Sequence, residues 1–219
     1  MSSVTYIEHS GVMVELDDRA FLFDYFRGDI PKTDKPLYIF SSHRHRDHFN
    51  KAIMDMGCEK LILSNDIRAV PTENTIKLGA NKNIETDGMK IRTLRSTDEG
   101  VAFIVEYKGK TIYHAGDLND WYWKGESDDL NAKMTKSYRD IILKGFSDIA
   151  KVDIAFLPVD PRQEEYCGCG ADFFLDNVKA EHIFPIHFWG DHNAVGKYIQ
   201  TRNENIYRIT RAPQRFEIE

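Results

Sequence analysis

The sequence predicts an α/β fold in one domain that spans residues 1–219. Three observations predict it. Short apolar runs rich in β-forming residues fill the first half of the chain. A long stretch of helical periodicity begins near Asp128, and strand-like and helix-like segments alternate after it. No stretch reads as a linker, a repeat or a low-complexity tract, and the length is ordinary for one domain.

The first half of the chain is predicted to consist mostly of strands. Three runs near the N-terminus are separated by Ser10-Gly11 and Asp17-Asp18, a spacing that favours a meander. Residues 47–56 have helical character. The strands predicted in this half are 4–8, 12–16, 20–23, 37–40, 61–63, 90–94, 101–107 and 111–114.

The second half is predicted to alternate helices with strands. From Leu130 to Ile149 apolar residues recur at spacings of three or four, as on one helix face, and Asp128 and Asp129 are the predicted caps. The apolar run 154–157 ends at Pro158 and predicts a buried strand. The remaining predictions are helices at 171–180 and 193–202 and strands at 182–186, 206–209 and 215–218.

Composition narrows the choice of partners and compartment. The 29 Lys and Arg against 35 Asp and Glu give a net charge of -6, which makes a nucleic-acid partner unlikely and favours a small-molecule substrate. No apolar run approaches the roughly 18 residues that span a bilayer. The first residues carry no secretory pattern, and three cysteines cannot all pair. We therefore expect a cytoplasmic protein with free thiols and no membrane partner; a homo-oligomer stays open.

The segment from His43 to His48 carries the strongest chemical signal. Four side chains that can bind metals, His43, His45, Asp47 and His48, fall within six residues directly after a predicted strand. His43 and His45 project to the same side of an extended chain. Asp47 and His48 follow a turn and can face a second ion. Imidazole and carboxylate are preferred ligands of divalent cations, so the segment predicts a metal centre; the alternative is a solvated loop that opens a helix.

These residues resemble a known family. Residues 42–48 match the HxHxDH signature of the metallo-β-lactamase superfamily. Residues 111–117 are similar to its strand that ends in Gly-Asp, and 184–189 to its last motif, a strand that ends in a histidine. The segments 7–12 and 21–25 resemble the lactonase-like branch typified by ascorbate-6-phosphate lactonase. The resemblance implies a four-layer αββα sandwich of two mixed β-sheets, with metals at one sheet edge.

The resemblance also implies a ligand set. His43 and His45 would hold a first metal ion, and Asp117 would bridge to a second. Asp24 would accept the free N–H of a ligand imidazole and fix its orientation. The ligands implied for the second ion are Asp47, His48 and His187.

One position departs from the family pattern. The superfamily places a third histidine for the first metal before the Gly-Asp motif, whereas residues 94–101 of this chain contain none. Asp98 is the predicted oxygen ligand in its place. Without it the first site would be weakened, leaving a single-metal enzyme or a metal that binds only together with substrate. Zinc is the metal that the family implies, and an oxygen ligand would favour manganese or iron. The predicted cofactor is therefore one or two divalent ions.

Four further residues are candidates for substrate chemistry. His114 is predicted to donate a proton to the leaving group, or else to be a buried strand histidine. His9 is a substrate contact or a turn histidine. Arg162 could bind an anionic group or form a surface ion pair. Trp121 could form an apolar wall of the site or pack under a loop.

Together the motifs predict metal-assisted hydrolysis. Asp47 or Asp117 would orient the attacking water and accept its proton. The branch resemblance implies a small anionic ester, lactone or phosphoester as substrate. Two alternatives stay open: an RNA or DNA phosphodiesterase of the same superfamily, and a metal-binding sensor without catalysis.

Overall fold

The computed structural model describes residues 2–219, in which more residues lie in strands than in helices. The strands of the first sheet come mostly from the N-terminal third of the chain, and the N-terminal meander is confirmed. They are β1 Ser2–Glu8, β2 Gly11–Glu15, β3 Ala20–Phe23, β4 Leu37–Ser41, β5 Lys60–Ser64, β6 Thr75–Leu78 and β13 Gln214–Ile218. Within residues 2–219 this sheet has the order β13-β1-β2-β3-β4-β5-β6, and β3 to β6 run parallel.

The second sheet takes the middle and later strands. They are β7 Asn83–Thr86, β8 Met89–Arg95, β9 Val101–Tyr107, β10 Lys110–His114, β11 Val152–Pro158 and β12 Ala180–Ile186. Across the described residues the order is β12-β11-β10-β9-β8-β7. The first three strands in this order are parallel and the others antiparallel, so both sheets are mixed.

Two of the three α-helices of the described chain cover the outer face of the second sheet. The α-helices are α1 Asp128–Gly145, α2 Cys169–Asn177 and α3 His192–Ile199, and 3₁₀ helices lie at Lys51–Asp55 and Pro161–Tyr166. Ser127 caps α1 by accepting a hydrogen bond from the Leu130 N–H. The predicted caps Asp128 and Asp129 lie in the first turn, where their charges still favour the helix dipole.

The core consists of two sheets packed face to face with further layers outside. Apolar side chains from both sheets form the central cluster. A second cluster joins the second sheet to α1 and α2. A third covers the outer face of the first sheet with the short 3₁₀ helix Lys51–Asp55 and loops. The predicted sandwich of two mixed sheets is confirmed.

Three element predictions were wrong or incomplete. Strands β6 and β7 were not predicted, because β7 alternates exposed with half-buried residues and so lacks an apolar run. Residues 206–209 form no strand; Ile206 makes a single bridge to Ile183. Residues 47–56 contain a 3₁₀ helix at Lys51–Asp55 alone, since the chain first turns tightly on the His45 carbonyl.

No helix within residues 2–219 is both long enough and apolar enough to cross a membrane. The cytoplasmic location and the oligomeric state stay predictions.

The topology brings distant residues to one edge of the sandwich. Asp24 follows β3, His43 follows β4, Asp117 follows β10, and His187 follows β12. Because parallel strands end at the same edge of a sheet, these residues meet there. The turn between β1 and β2 adds His9 to the same edge.

Candidate metal centre

Asp117 lies at the middle of this edge. Its side chain is 4% exposed. Oδ2 is 3.3 Å from His43 Nε2, while Oδ1 is 3.1 Å from His48 Nε2 and 3.2 Å from His187 Nε2. The preceding Gly116 has φ +53°, and a Cβ there would lie 2.7 Å from the Ser42 side chain, so a glycine lets the two loops approach. The two carboxylate oxygens thus face two different sets of imidazoles.

The predicted ligand atoms converge into three overlapping groups. Within each group, one nitrogen or oxygen per residue lies within 4.8 Å of the others. His43 Nε2 and His45 Nδ1 face each other at 3.0 Å. The groups are His43, His48 and Asp117; His45, Asp98 and Asp117; and His9, Asp47, His48 and His187.

Unpaired buried atoms show that this arrangement fits a cation. His48 Nε2 and Asp117 Oδ1 are buried and lie 3.1 Å apart, yet neither makes a hydrogen bond with an acceptable angle within residues 2–219. Polar atoms without partners are rare in protein interiors because their desolvation is not compensated. A divalent ion between these nitrogen and oxygen donors would satisfy them, and the donor set is one that such ions prefer.

The Asp24 carboxylate fixes the orientation of two imidazoles. It is fully buried, and Oδ2 lies 2.8 Å from His48 Nδ1. Oδ2 also accepts a hydrogen bond of 2.6 Å from the Ser42 hydroxyl, whose oxygen lies 2.9 Å from His43 Nδ1. With Nδ1 engaged on both rings, the Nε2 atoms of His43 and His48 point at Asp117.

Two carboxylates that were not among the predicted site residues lie beside the remaining imidazoles, and only Asp160 is within hydrogen-bond distance of its ring. Asp160 Oδ2 lies 3.0 Å from His187 Nδ1, and Glu99 Oε2 lies 3.5 Å from His45 Nε2. Asp160 could have been found, because it directly follows a buried parallel strand that ends at the same edge. Nothing in the sequence marks Glu99.

The charges in the cluster depend on one another. Burial would raise the pKa of Asp117, but His48, His187 and His43 hold it well below its usual range. Burial would likewise lower the pKa of His48, yet Asp117 and Asp24 raise it well above the ordinary value. Without a cation, the cluster therefore holds ionised carboxylates against a protonated imidazole.

Asp98 lies at the position of the departure from the family pattern. Its side chain is exposed to the pocket, and one oxygen groups with His45 and Asp117. Partial burial and the negative charge of Asp117 raise the pKa of Asp98. The structure thus brings a carboxylate to the side of the first group where a third imidazole is missing; its role as a ligand stays a prediction.

A cavity of about 410 Å³ opens onto the cluster. Trp121 lies at its wall, where its Nε1 donates to the Asp117 carbonyl at 2.9 Å. The Arg162 guanidinium lies at its mouth, 4.7 Å from the Trp189 ring and paired with the buried Asp160. The lining residues are His45, Asp47, Thr97, Asp98, Asp117, Trp121, Trp123, Met134, Arg162, His187 and Trp189.

The structure does not place His114 where it could act on a substrate. The ring is fully buried and stacks on Phe23 at 5.1 Å. Its Nε2 lies 2.9 Å from the Ser10 carbonyl, and its Nδ1 accepts from the Gly116 N–H. Both nitrogens are occupied by backbone groups, so the assignment of His114 as the proton donor is corrected to a structural one.

His9 also differs from its prediction. It is 4% exposed and does not line the cavity. It lies behind Asp47, with Nε2 at 3.4 Å from Asp47 Oδ2, and so contacts the ligand cluster rather than a substrate.

Comparison with known proteins identifies the family. A family model described as "Beta-lactamase superfamily domain" matches residues 3–129, more than half of the chain. The chain therefore belongs to the metallo-β-lactamase superfamily, and its fold is the metallo-β-lactamase fold. It is a metal-dependent hydrolase of this superfamily, whose candidate metal sites are the His and Asp groups described above. The lactonase-like branch stays a prediction.

Its relatives agree with this class. The chain is 28% identical over 207 residues to a UPF0173 metal-dependent hydrolase of Natranaerobius thermophilus, covering 84% of this chain and 82% of the relative. A second UPF0173 metal-dependent hydrolase, from an Exiguobacterium species, is 24% identical and is covered to 85%.

Two solved structures share the fold. The metallo hydrolase Igni18 of Ignicoccus hospitalis superposes with a TM-score of 0.64 at 16% identity, covering 100% of this chain and 99% of that one. The diiron β-hydroxylase CmlA of Streptomyces venezuelae superposes with a TM-score of 0.65 at 9% identity, and the match covers 99% of this chain and 54% of that chain.

Proposed function

We propose that this protein hydrolyses a small anionic ester, lactone or phosphoester at a centre of one or two divalent ions. The observation that carries the proposal is the position of Asp117, with Oδ2 toward His43 and Oδ1 toward His48 and His187. A carboxylate between two groups of ligands is suited to bridging two cations. The chemistry that such ions supply is a water of lowered pKa and a polarised substrate oxygen.

The residues that would hold the ions differ between the two sides of Asp117. Each side has two imidazoles and two carboxylates, and the first side has Asp98 where the family pattern has a third imidazole. Because Asp98 replaces an imidazole by an oxygen donor, we propose that the first side prefers manganese or iron to zinc. The proposed first set is His43, His45, Asp98 and Asp117, and the second is Asp47, His48, His187 and Asp117.

Asp47 is the proposed general base. Its carboxylate lines the cavity and is 29% exposed, so it can contact a water that enters from solvent. Burial would raise its pKa, but His9 and His48 lower it well below the usual value, so it is ionised and can accept a hydrogen bond from that water. The same carboxylate can return the proton to the leaving group, which replaces the role predicted for His114.

The charge of the cavity supports an anionic substrate. Asp47, Asp98 and Asp117 outnumber the basic groups Arg162 and His187 along the lining, so the pocket without metal is negative. Two bound divalent ions would reverse its sign and attract an anion. Asp160 accepts hydrogen bonds from Arg162 Nε and Nη2, and Nη1 has no partner among the described residues. We propose that Nη1 binds the anionic group, with Trp121 packing against the rest of the substrate.

The test combines metal analysis with an activity panel. Elemental analysis of the protein purified without added metal should find a divalent ion, and the reconstituted protein should hydrolyse members of a panel of esters, lactones and phosphoesters. Asp117→Asn should lose metal and activity together. Asp153→Asn is the matched control, since Asp153 is a buried aspartate on β11 that pairs with Lys151 and the Thr111 N–H.

The same panel separates the two alternatives. Cleavage of RNA or of a phosphodiester, without ester or lactone hydrolysis, would favour the phosphodiesterase. Tight metal binding without turnover of any substrate would favour the sensor. A wild-type protein that binds no divalent ion would refute the proposal.

A further inference from the structure

The turn between β1 and β2 holds an imidazole that the proposed ligand sets leave out. His9 follows β1 with φ 56°, in the left-handed region that non-glycine residues rarely adopt. Its carbonyl accepts a hydrogen bond of 3.2 Å from the His187 N–H, and His187 itself has φ 63°. Two strained turns are therefore joined backbone to backbone at the second side of the cluster, and such strain concentrates at functional sites.

The His9 side chain is buried against the ligands of that side. Its ring centroid lies 4.3 Å from that of His187 and 5.4 Å from that of His48. The Trp189 ring covers it at 4.4 Å. One donor atom from each of His9, Asp47, His48 and His187 falls within 4.8 Å of the others. The ring is thus packed in one arrangement, with its nitrogen directed into the cluster.

No described residue satisfies that nitrogen with a hydrogen bond. His9 Nε2 is buried and makes no hydrogen bond within residues 2–219. Its nearest carboxylate oxygen, Asp47 Oδ2, is 3.4 Å away, long for a hydrogen bond between a nitrogen and a charged oxygen. A substrate cannot satisfy it, because His9 does not line the cavity. A cation held by Asp47, His48 and His187 would satisfy this nitrogen.

We propose that His9 is a further ligand of the second metal ion, donating through Nε2. The inference rests on the proposed metal centre and extends it. With His9, the second side has three imidazoles, whereas the first side has two and a carboxylate in place of the third. The second side is then the tighter of the two and fills first, and a single-metal form of the protein carries its ion there.

The test is a titration of metal-free protein with Co²⁺, followed by visible absorption and calorimetry. The variants are His9→Gly and His9→Asn, since both residues tolerate a left-handed turn and neither offers an imidazole. His182→Asn is the control, because His182 lies on β12 away from the cluster and pairs with the Tyr207 hydroxyl at 2.9 Å. Thermal unfolding of each metal-free variant checks its fold.

We expect wild type and His182→Asn to bind a first Co²⁺ equally tightly. Both His9 variants should bind that ion more weakly, by more than the roughly 10–100-fold that loss of an outer partner causes, with an altered Co²⁺ spectrum. First-ion affinity and spectrum unchanged in folded His9→Gly and His9→Asn would overturn the inference and leave the metal centre intact. Failure of wild type to bind Co²⁺ would instead overturn the proposed function.

Discussion

Asp160 links the metal centre to the mouth of the cavity, and its neutralisation should weaken both. Its side chain is fully buried, and Oδ2 lies 3.0 Å from His187 Nδ1. Both carboxylate oxygens also accept from the Arg162 guanidinium, with Nε at 3.0 Å from each. Asp160→Asn keeps the shape of the side chain but removes the charge that orients these two groups.

The expected magnitude follows from the carboxyl group itself. Burial opposes ionisation of Asp160, yet His187 and Arg162 lower its pKa from 3.8 to about 2. A shift of this size corresponds to about 2 kcal/mol. Because the Arg162 side chain is half exposed, solvent screening reduces the expected loss of unfolding free energy to about 1–2 kcal/mol. Loss of an outer partner of a ligand histidine should also lower metal affinity by about 10–100-fold.

The assay compares metal affinity, by competition with a chromophoric chelator, and urea unfolding of the metal-free protein. Asp172→Asn is the control, since Asp172 also pairs with an arginine, Arg202, but lies on α2 away from the cavity. The pKa of Asp160 is lowered on folding, so its contribution is present above the unfolded pKa of about 4 and is lost as the pH falls through about 2. Equal metal affinity in the two variants would refute the reasoning.

Three further predictions concern the loops around the cluster. Gly100→Ala should destabilise the protein and weaken metal binding, because φ is +68° and a Cβ would lie 2.0 Å from the Ser42 carbonyl oxygen. Thermal unfolding measures the stability, and chelator competition measures the metal affinity. An unchanged melting temperature and an unchanged affinity would contradict the prediction. Asp24→Asn should lower the free energy of unfolding by about 2 kcal/mol or more, because a fully buried carboxylate loses charged hydrogen bonds. A smaller loss, measured by urea unfolding at pH 7, would count against this hydrogen-bond network. Metal uptake at neutral pH should release protons, because nearby carboxylates outweigh the effect of burial and raise the pKa values of His48 and His187. The metal affinity should therefore fall as the pH falls. An indicator-dye titration that shows no proton release would argue against this.

The part of the site that the sequence predicts well is local. Residues His43 to His48 form one turn after β4, so their spacing alone places four donors together. Asp117 and His187 could be added because strands that end in such residues resemble family motifs. These groups converge at one edge of the structure, and their roles as metal ligands stay a prediction.

The parts that escaped prediction depend on pairing between distant strands. Asp160 contacts His187 because β11 and β12 run parallel and end together, which no local pattern reports. Glu99 faces His45 from a loop between β8 and β9. His114 looked suitable for catalysis by its position next to the Gly-Asp motif, but the alternation of side chains along β10 directs it into the space between the sheets.

The most direct test is a crystal structure of the metal-loaded protein with anomalous diffraction recorded at the absorption edge of the metal. The account predicts an anomalous peak within about 2.0–2.3 Å of His48, His187 and Asp117, with Asp117 as the residue shared with any second peak. A structure without a peak at this edge of the sandwich, or with the ion bound elsewhere, would contradict it.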